Sequence, residues 1–198
     1  MSVILGLTGS IGMGKSTTSG FFRAAGVPLW DADAAVHALY ARHGAAVVPL
    51  AALHPPALHQ DAIDRAALRD WIAADPSALR QIEAIVHPLV AQDRQAFLSA
   101  HKDAPLVVLD IPLLFENHGE AMVDATLVVT APPEVQRARV LARPGMTEAH
   151  FQMILAKQMP DAEKRRRATH VIETQTLEQT RDAVLDLIQR LTQDADHA

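Results

Sequence analysis

The sequence predicts an α/β protein in three layers: a mostly parallel five-stranded sheet with helices on both faces. Three observations predict it. Short apolar runs at 3–7, 27–30, 106–110, 125–130 and 169–172 have the length of strands buried in a sheet. Segments with helical spacing separate these runs, and that alternation is what produces parallel strands. The first run leads directly into Gly9-Ser10-Ile11-Gly12-Met13-Gly14-Lys15-Ser16, with Thr17 behind it. This stretch fits the phosphate-loop pattern G-x-x-x-x-G-K-[ST], set between a strand and a helix as that pattern requires.

The loop carries its own chemistry. Gly9, Gly12 and Gly14 lack a Cβ, so the backbone can take positive φ and approach a ligand closely. Successive N–H groups then form a nest for anionic oxygens, at the positive end of the helix that starts near Gly14. Lys15 is placed to reach the β- and γ-phosphates of a nucleotide, and Ser16 Oγ to hold Mg²⁺.

A chain of 198 residues suits one domain with a small insertion. The pattern divides it into a core of about 1–33, 104–138 and 168–193, a helical subdomain of about 34–103, and a lid of about 139–167. The hydrophobic fraction of 49% is that of an ordinary soluble globule, and the net charge of −5 gives a nucleic-acid partner no electrostatic support. Arginine outnumbers lysine 14 to 4, which leaves room for a local phosphate-binding cluster. With no cysteine there is no disulfide or thiolate metal site, as suits a reducing compartment. No apolar run reaches the length of a membrane span and no basic leader precedes the first strand, so a cytoplasmic location is expected.

Each element follows from local signals. Residues 17–25 form the first helix, with Phe21 and Phe22 facing the sheet and Gly26 ending it. The run 27–30 delivers Asp31-Ala32-Asp33 at a strand's carboxyl end, where ligands sit in open α/β sheets. Asp31 can cap the next helix; Asp33 is the candidate functional acid. From Ala34 to His101 the pattern is helical, with a short helix in 44–53, a break at His54-Pro55-Pro56, and starts capped by Asp64 and Asp75. The last of these helices contains Pro88, which should kink it; His87 beside it either faces a ligand or serves as an ordinary core or capping histidine.

Leu106-Val107-Val108-Leu109-Asp110 ends in an acid placed to hold Mg²⁺ through water. Leu113, Leu114 and Phe115 follow, either lining a pocket or joining the core, and Glu116 either bonds substrate hydroxyls or starts a helix. Pro132-Pro133 begins a helix that puts Arg139 and Arg143 on one face. Pro144-Gly145 breaks it, and Thr147-Glu148 restarts a helix through Met159. A helical hairpin bearing arginines suits a lid over transferring phosphates. Thr176 with Gln179 makes a capping box for a closing helix whose stripe is Leu177, Val184, Leu187, Ile188 and Leu191; the polar tail from Gln193 should fray.

These motifs together resemble the dephospho-CoA kinase family. The resemblance rests on the phosphate loop, on Asp31-Ala32-Asp33, Asp64-Arg65-x-x-Leu68, His87-Pro88-Leu89-Val90 and Asp110-Ile111-Pro112-Leu113-Leu114-Phe115-Glu116, and on the Arg139-to-Thr147 segment with the Gln158 region. It implies transfer of the ATP γ-phosphoryl group, with Mg²⁺, to the ribose 3′-hydroxyl of dephospho-CoA. It gives Asp33 the role of base or orienter, gives Gly12, Met13, Gly14, Lys15, Ser16 and Thr17 the hold on the ATP phosphates, and brings Arg139 and Arg143 into contact with phosphates. Leu113, Leu114 and Phe115 would border the acceptor, and Ser16 and Asp110 are the metal candidates. The implied partner is a small molecule, with neither nucleic acid nor membrane, for a monomer or weak homo-oligomer. The chain departs from the pattern at Ser10, where a second glycine is usual, at Gln60-Asp61-Ala62, where an Asp-Gly turn is usual, and at Glu173-Thr174, where an acid followed by Asn is expected.

Another phosphate-loop kinase, acting on a nucleoside monophosphate or other small molecule, would share the loop and lid without needing the segment 110–116. A GTPase switch would need an Asn-Lys-x-Asp segment, which the sequence lacks. A non-catalytic ATP-binding module would not need the acids at the strand ends.

Overall fold

The structure is a computed structural model that describes residues 2–196. The chain divides into two compact units, one of Met1–Trp30 with His101–Ala198 and the other of Asp31–Ala100. Strand β1 (Val3–Thr8) opens the first unit, and the glycine loop carries the chain into α1 (Lys15–Ala24). Gly26 takes φ +77°, the left-handed turn that stops a helix, and β2 (Leu29–Asp31) follows.

The second unit starts with α2 (Ala32–Tyr40), capped by Asp31, whose carboxylate accepts from Ala34 N at 3.0 Å. Then come α3 (Val47–Leu53), strands β3 (Leu58–His59) and β4 (Ala62–Ile63), α4 (Arg65–Ala74) and α5 (Ala78–Ala100). Asp64 and Asp75 cap as the sequence predicts, accepting from Ala66 N and Ser77 N at 2.7 Å each. The antiparallel pair β3–β4 corrects the reading of this region as wholly helical. Its turn is made by Gln60 and Asp61, at φ +49° and +61°, the two left-handed residues of a tight hairpin. Strands of two residues show no alternation, and the glycine that usually marks such a turn is missing. Helix α5 runs through Pro88 without ending. Leu39, Leu50, Ile63, Leu68, Ile82 and Val86 meet in this unit's core.

The chain returns to the first unit with β5 (Leu106–Asp110), β6 (Ala125–Thr130), α6 (Pro133–Leu141), α7 (Glu148–Lys157), α8 (Asp161–Arg167), β7 (His170–Glu173) and α9 (Leu177–Asp196). The sheet runs β2-β5-β1-β6-β7. Strand β1 is parallel to both β5 and β6, and its Leu7 lies opposite Asp110 on one side and Leu127 on the other. The glycine loop and Asp110 therefore lie at the same carboxyl end of the parallel strands. Phe22 of α1 and Val184 and Leu187 of α9 pack with Leu5, Leu7 and Leu127 in one core.

Three local expectations are corrected, and one helix was not expected. Helix α6 ends at Leu141, so Arg143 stands in the following turn and not on a helical face with Arg139. Helix α7 ends at Lys157, short of Met159. Leu177, at the first position of α9, is 70% exposed and outside the buried stripe. Helix α8 has no counterpart in the sequence reading; seven residues that are almost all charged show no apolar period. Helix α9 continues past Gln193 to Asp196, and residues 197–198 lie outside the described residues. Among the described residues no helix is long and apolar enough to cross a membrane.

Candidate active site

The glycine loop is shaped by two different demands. Gly12 and Gly14 hold φ +78° and +89°, a region that L side chains avoid. Gly9 does not; it is required for space, since a Cβ there would stand 2.5 Å from Val129 Cγ2. Close packing presses on the other two as well. A Cβ at Gly12 would meet Val140 Cγ2 at 2.5 Å, and one at Gly14 would meet Thr174 Oγ1 at 2.8 Å. The loop is thus seated against the end of β6, the side of α6 and the residue after β7. Ser10 keeps a negative φ and is buried, which is why a side chain is tolerated at this position.

Side chains from distant segments hold the loop's peptide groups. Thr174 Oγ1 donates to Met13 O at 2.9 Å, and Met13 Sδ accepts from Ala131 N. Ile11 N donates to Gln158 Oε1 at 3.1 Å, and Ile11 O accepts from Gln136 Nε2 at 2.7 Å. Helix α1 then begins at Gly14 with no side chain capping it. Its first-turn N–H groups stay available to an anion, where the helix dipole favours negative charge. Ser16 and Thr17 have exposed side chains in that turn.

Lys15 Nζ lies 2.5 Å from Asp110 Oδ1, and Ser19 Oγ donates to Asp110 Oδ2 at 2.6 Å. Asp110 is only 2% exposed, so these charge-assisted contacts are what keep its carboxylate in the sheet. Ser19 lies one helical turn beyond Lys15; a polar residue on the sheet-facing side of α1 was its only sequence signal. The oxygens of Ser16 and Asp110 suit a hard cation such as Mg²⁺, which keeps several waters and leans on substrate phosphates. Among the described residues there is no group of three or more His, Cys, Asp or Glu that could hold a metal ion.

Arg139 on α6 donates to Thr174 Oγ1 at 2.9 Å and Thr174 O at 2.6 Å. Thr174, where the family pattern expects Asn, thereby links this guanidinium to the loop. Arg143 is exposed beside Gly145, which takes φ +74°. Arg137 pairs with Glu148 at 2.7 Å and ties α6 to α7.

The segment after β5 divides. Leu113 is exposed, whereas Leu114 and Phe115 are buried. Gly6 of β1 makes room for Leu114, whose Cδ2 would stand 3.0 Å from a Cβ there. Glu116 does not start a helix: its Oε1 accepts from Met159 N at 2.8 Å and faces Lys164 Nζ at 2.9 Å. In the unit Asp31–Ala100, the capping bond falls to Asp31, which leaves Asp33 exposed in the first turn of α2; His87 is exposed beside Pro88 on α5.

The chain matches the model of the family described as dephospho-CoA kinase over residues 3–179. It is 64% identical over 192 residues to a dephospho-CoA kinase of Cereibacter sphaeroides, covering 97% of each chain. It is 63% identical over 193 residues to one of Jannaschia sp., covering 98% of this chain and 99% of the other. Among solved structures, TT1252 from Thermus thermophilus superposes with a TM-score of 0.85 at 37% identity, over 96% of this chain and 97% of that one. A dephospho-CoA kinase from Campylobacter jejuni has a TM-score of 0.76 at 22% identity, over 98% and 99%, which speaks for the fold alone. A family match over residues 3–179, with a relative 64% identical across 97% of the chain, makes this protein a member of the dephospho-CoA kinase family.

Proposed function

We propose that the protein transfers the γ-phosphoryl group of ATP to the ribose 3′-hydroxyl of dephospho-CoA, giving coenzyme A. The observation that carries the reading is the uncapped N-terminus of α1 behind a loop with two left-handed glycines, with Lys15 at its mouth. Such a cradle offers amide hydrogens and one ammonium to a polyphosphate. Lys15 rests on Asp110 in this structure, and phosphate oxygens would share it.

The roles follow from position and charge. Residues Gly12 to Thr17 hold the ATP phosphates, and Arg139 and Arg143 neutralise charge on the group in flight. Asp33 orients the acceptor hydroxyl or takes its proton; it is available because Asp31 carries the cap. Leu113 and His87 offer exposed side chains to the acceptor, with Leu114 and Phe115 supporting Leu113 from the core. Ser16 and, through water, Asp110 are the residues for Mg²⁺, which when bound would spread the charge of the transferring phosphoryl. The reading includes a cytoplasmic monomer or weak homo-oligomer.

A coupled assay with ATP, Mg²⁺ and dephospho-CoA, run beside a panel of nucleoside monophosphates, tests the substrate. Turnover on dephospho-CoA alone is expected; preference for a monophosphate would overturn the assignment. Asp33→Asn should lower kcat by roughly 10²–10⁴ with ATP affinity kept, and near-normal turnover would remove Asp33 from the chemistry.

A further inference from the structure

The phosphate loop is flexible by composition, with glycine at 9, 12 and 14, yet phosphoryl transfer needs its amides fixed. Ile11 lies between the first two glycines and has no intraloop partner for either backbone group in the bonds described above. Both are taken by glutamines that arrive from opposite ends of one helical hairpin. Gln136 sits on α6, where it is 7% exposed, and Gln158 is the residue at which α7 stops. The polarity is not a matter of how an amide was oriented. Ile11 N requires an acceptor and Ile11 O requires a donor, so Gln158 must present oxygen and Gln136 nitrogen.

Neither contact is explained by folding of the hairpin itself. Helix α6 needs no donor from the Gln136 side chain, and Gln158 closes α7 through its backbone N–H on Leu155 O at 3.1 Å, which leaves its side chain outside the helix bonds. Both amides are spent on the two backbone groups of one loop residue, and so on the successive peptide units that flank its Cα. The segment just after Gln158 is fixed by a hydrogen bond from Met159 N to Glu116 Oε1, a carboxylate that is itself ion-paired with the buried Lys164. Gln158 is therefore presented from an anchored position.

We propose that Gln136 and Gln158 are positioning residues for the nucleotide: together they clamp the two peptide units that flank Ile11 and preset the loop for the triphosphate, with no part in binding the acceptor. The proposal rests on the reading that the loop binds ATP. It also links lid and loop, since a displacement of the hairpin would release Ile11.

Isosteric exchange separates a hydrogen-bonding role from packing. Gln158→Glu keeps an acceptor of the same length for Ile11 N, whereas Gln136→Glu replaces the donor to Ile11 O by a second acceptor. Hydrogen exchange over residues 9–16 is measured on the ligand-free protein, and KM values on the active enzyme. Gln158→Ala and Gln136→Glu should each raise KM for ATP about five- to tenfold, the size of one lost hydrogen bond, with KM for dephospho-CoA within about twofold. Loop exchange should quicken by a similar factor in both, and stay within about twofold of the parent in Gln158→Glu. Equal effects of the two Glu variants, or unchanged loop exchange in Gln158→Ala, would overturn the clamp. Should the buried Gln136→Glu fail to fold, the Gln158 pair decides alone, because it predicts opposite results for Ala and Glu. The exchange measurement needs no acceptor, so a parent protein inert toward dephospho-CoA would overturn the functional reading by itself.

Discussion

The loops that follow β1 and β5 leave the carboxyl ends of adjacent parallel strands and are held by opposite means. After β1, residues 9–16 bury little side chain beyond Ser10 and Met13; the backbone is seated through missing Cβ atoms and through bonds from Thr174, Gln136 and Gln158. After β5, Leu114 and Phe115 turn into the core and Glu116 is fixed by Met159 and the buried Lys164. A loop that must offer its own amides to a ligand cannot be anchored by those amides. It has to be gripped from behind, at peptide groups the ligand does not use. A loop that only supports a surface can be anchored by burial, the stronger and less directional force.

Substitutions in the two loops should therefore fail in different ways. Phe115→Ala should cost about 3–5 kcal/mol in a denaturant melt, as for a large core side chain, while KM for ATP stays near the parent value. A large rise in KM without loss of stability would make Phe115 a substrate contact. Lys164→Met removes one partner of a buried pair and should cost about 3 kcal/mol, partly recovered in the double variant with Glu116→Gln. An additive double variant would mean that the pair contributes no mutual interaction.

Gly12→Ala should do the reverse of Phe115→Ala. The new Cβ meets Val140 and the Gln136 carbonyl while φ stays positive, so the loop must shift. kcat/KM for ATP should fall on the order of a hundredfold, with a smaller change in melting temperature than Phe115→Ala gives. The smallest effect is expected at His170, on β7 away from both loops. Burial first, and then Arg190, hold its imidazole below the usual range, so the unfolded chain takes up a proton more readily than the folded one. Its contribution to stability is complete above about pH 6.5 and is lost as the pH falls towards the lower folded value. His170→Gln should flatten that slope slightly, and an unchanged slope would exclude His170 as its source.

The sequence alone determined the parts whose physics is local. Glycines followed by Lys and Ser after a short apolar run specify a strand, a cradle and a helix start within sixteen residues. Asp31, Asp64 and Asp75 cap where they stand because a cap reaches only two or three residues ahead. The five strands were legible from their apolar runs. Tertiary structure decided what each residue near the site spends its side chain on. Asp110 meets Lys15 and Ser19, Thr174 reaches Met13, and Gln158 reaches Ile11, across separations of 91 to 161 residues, and Arg139 reaches Thr174 across 35. A hydrogen bond is directional and lasts over a few tenths of an ångström, so no pattern of residue types along the chain announces it. Only the packing of the sheet, by fixing which segments end side by side, brings those atoms within reach.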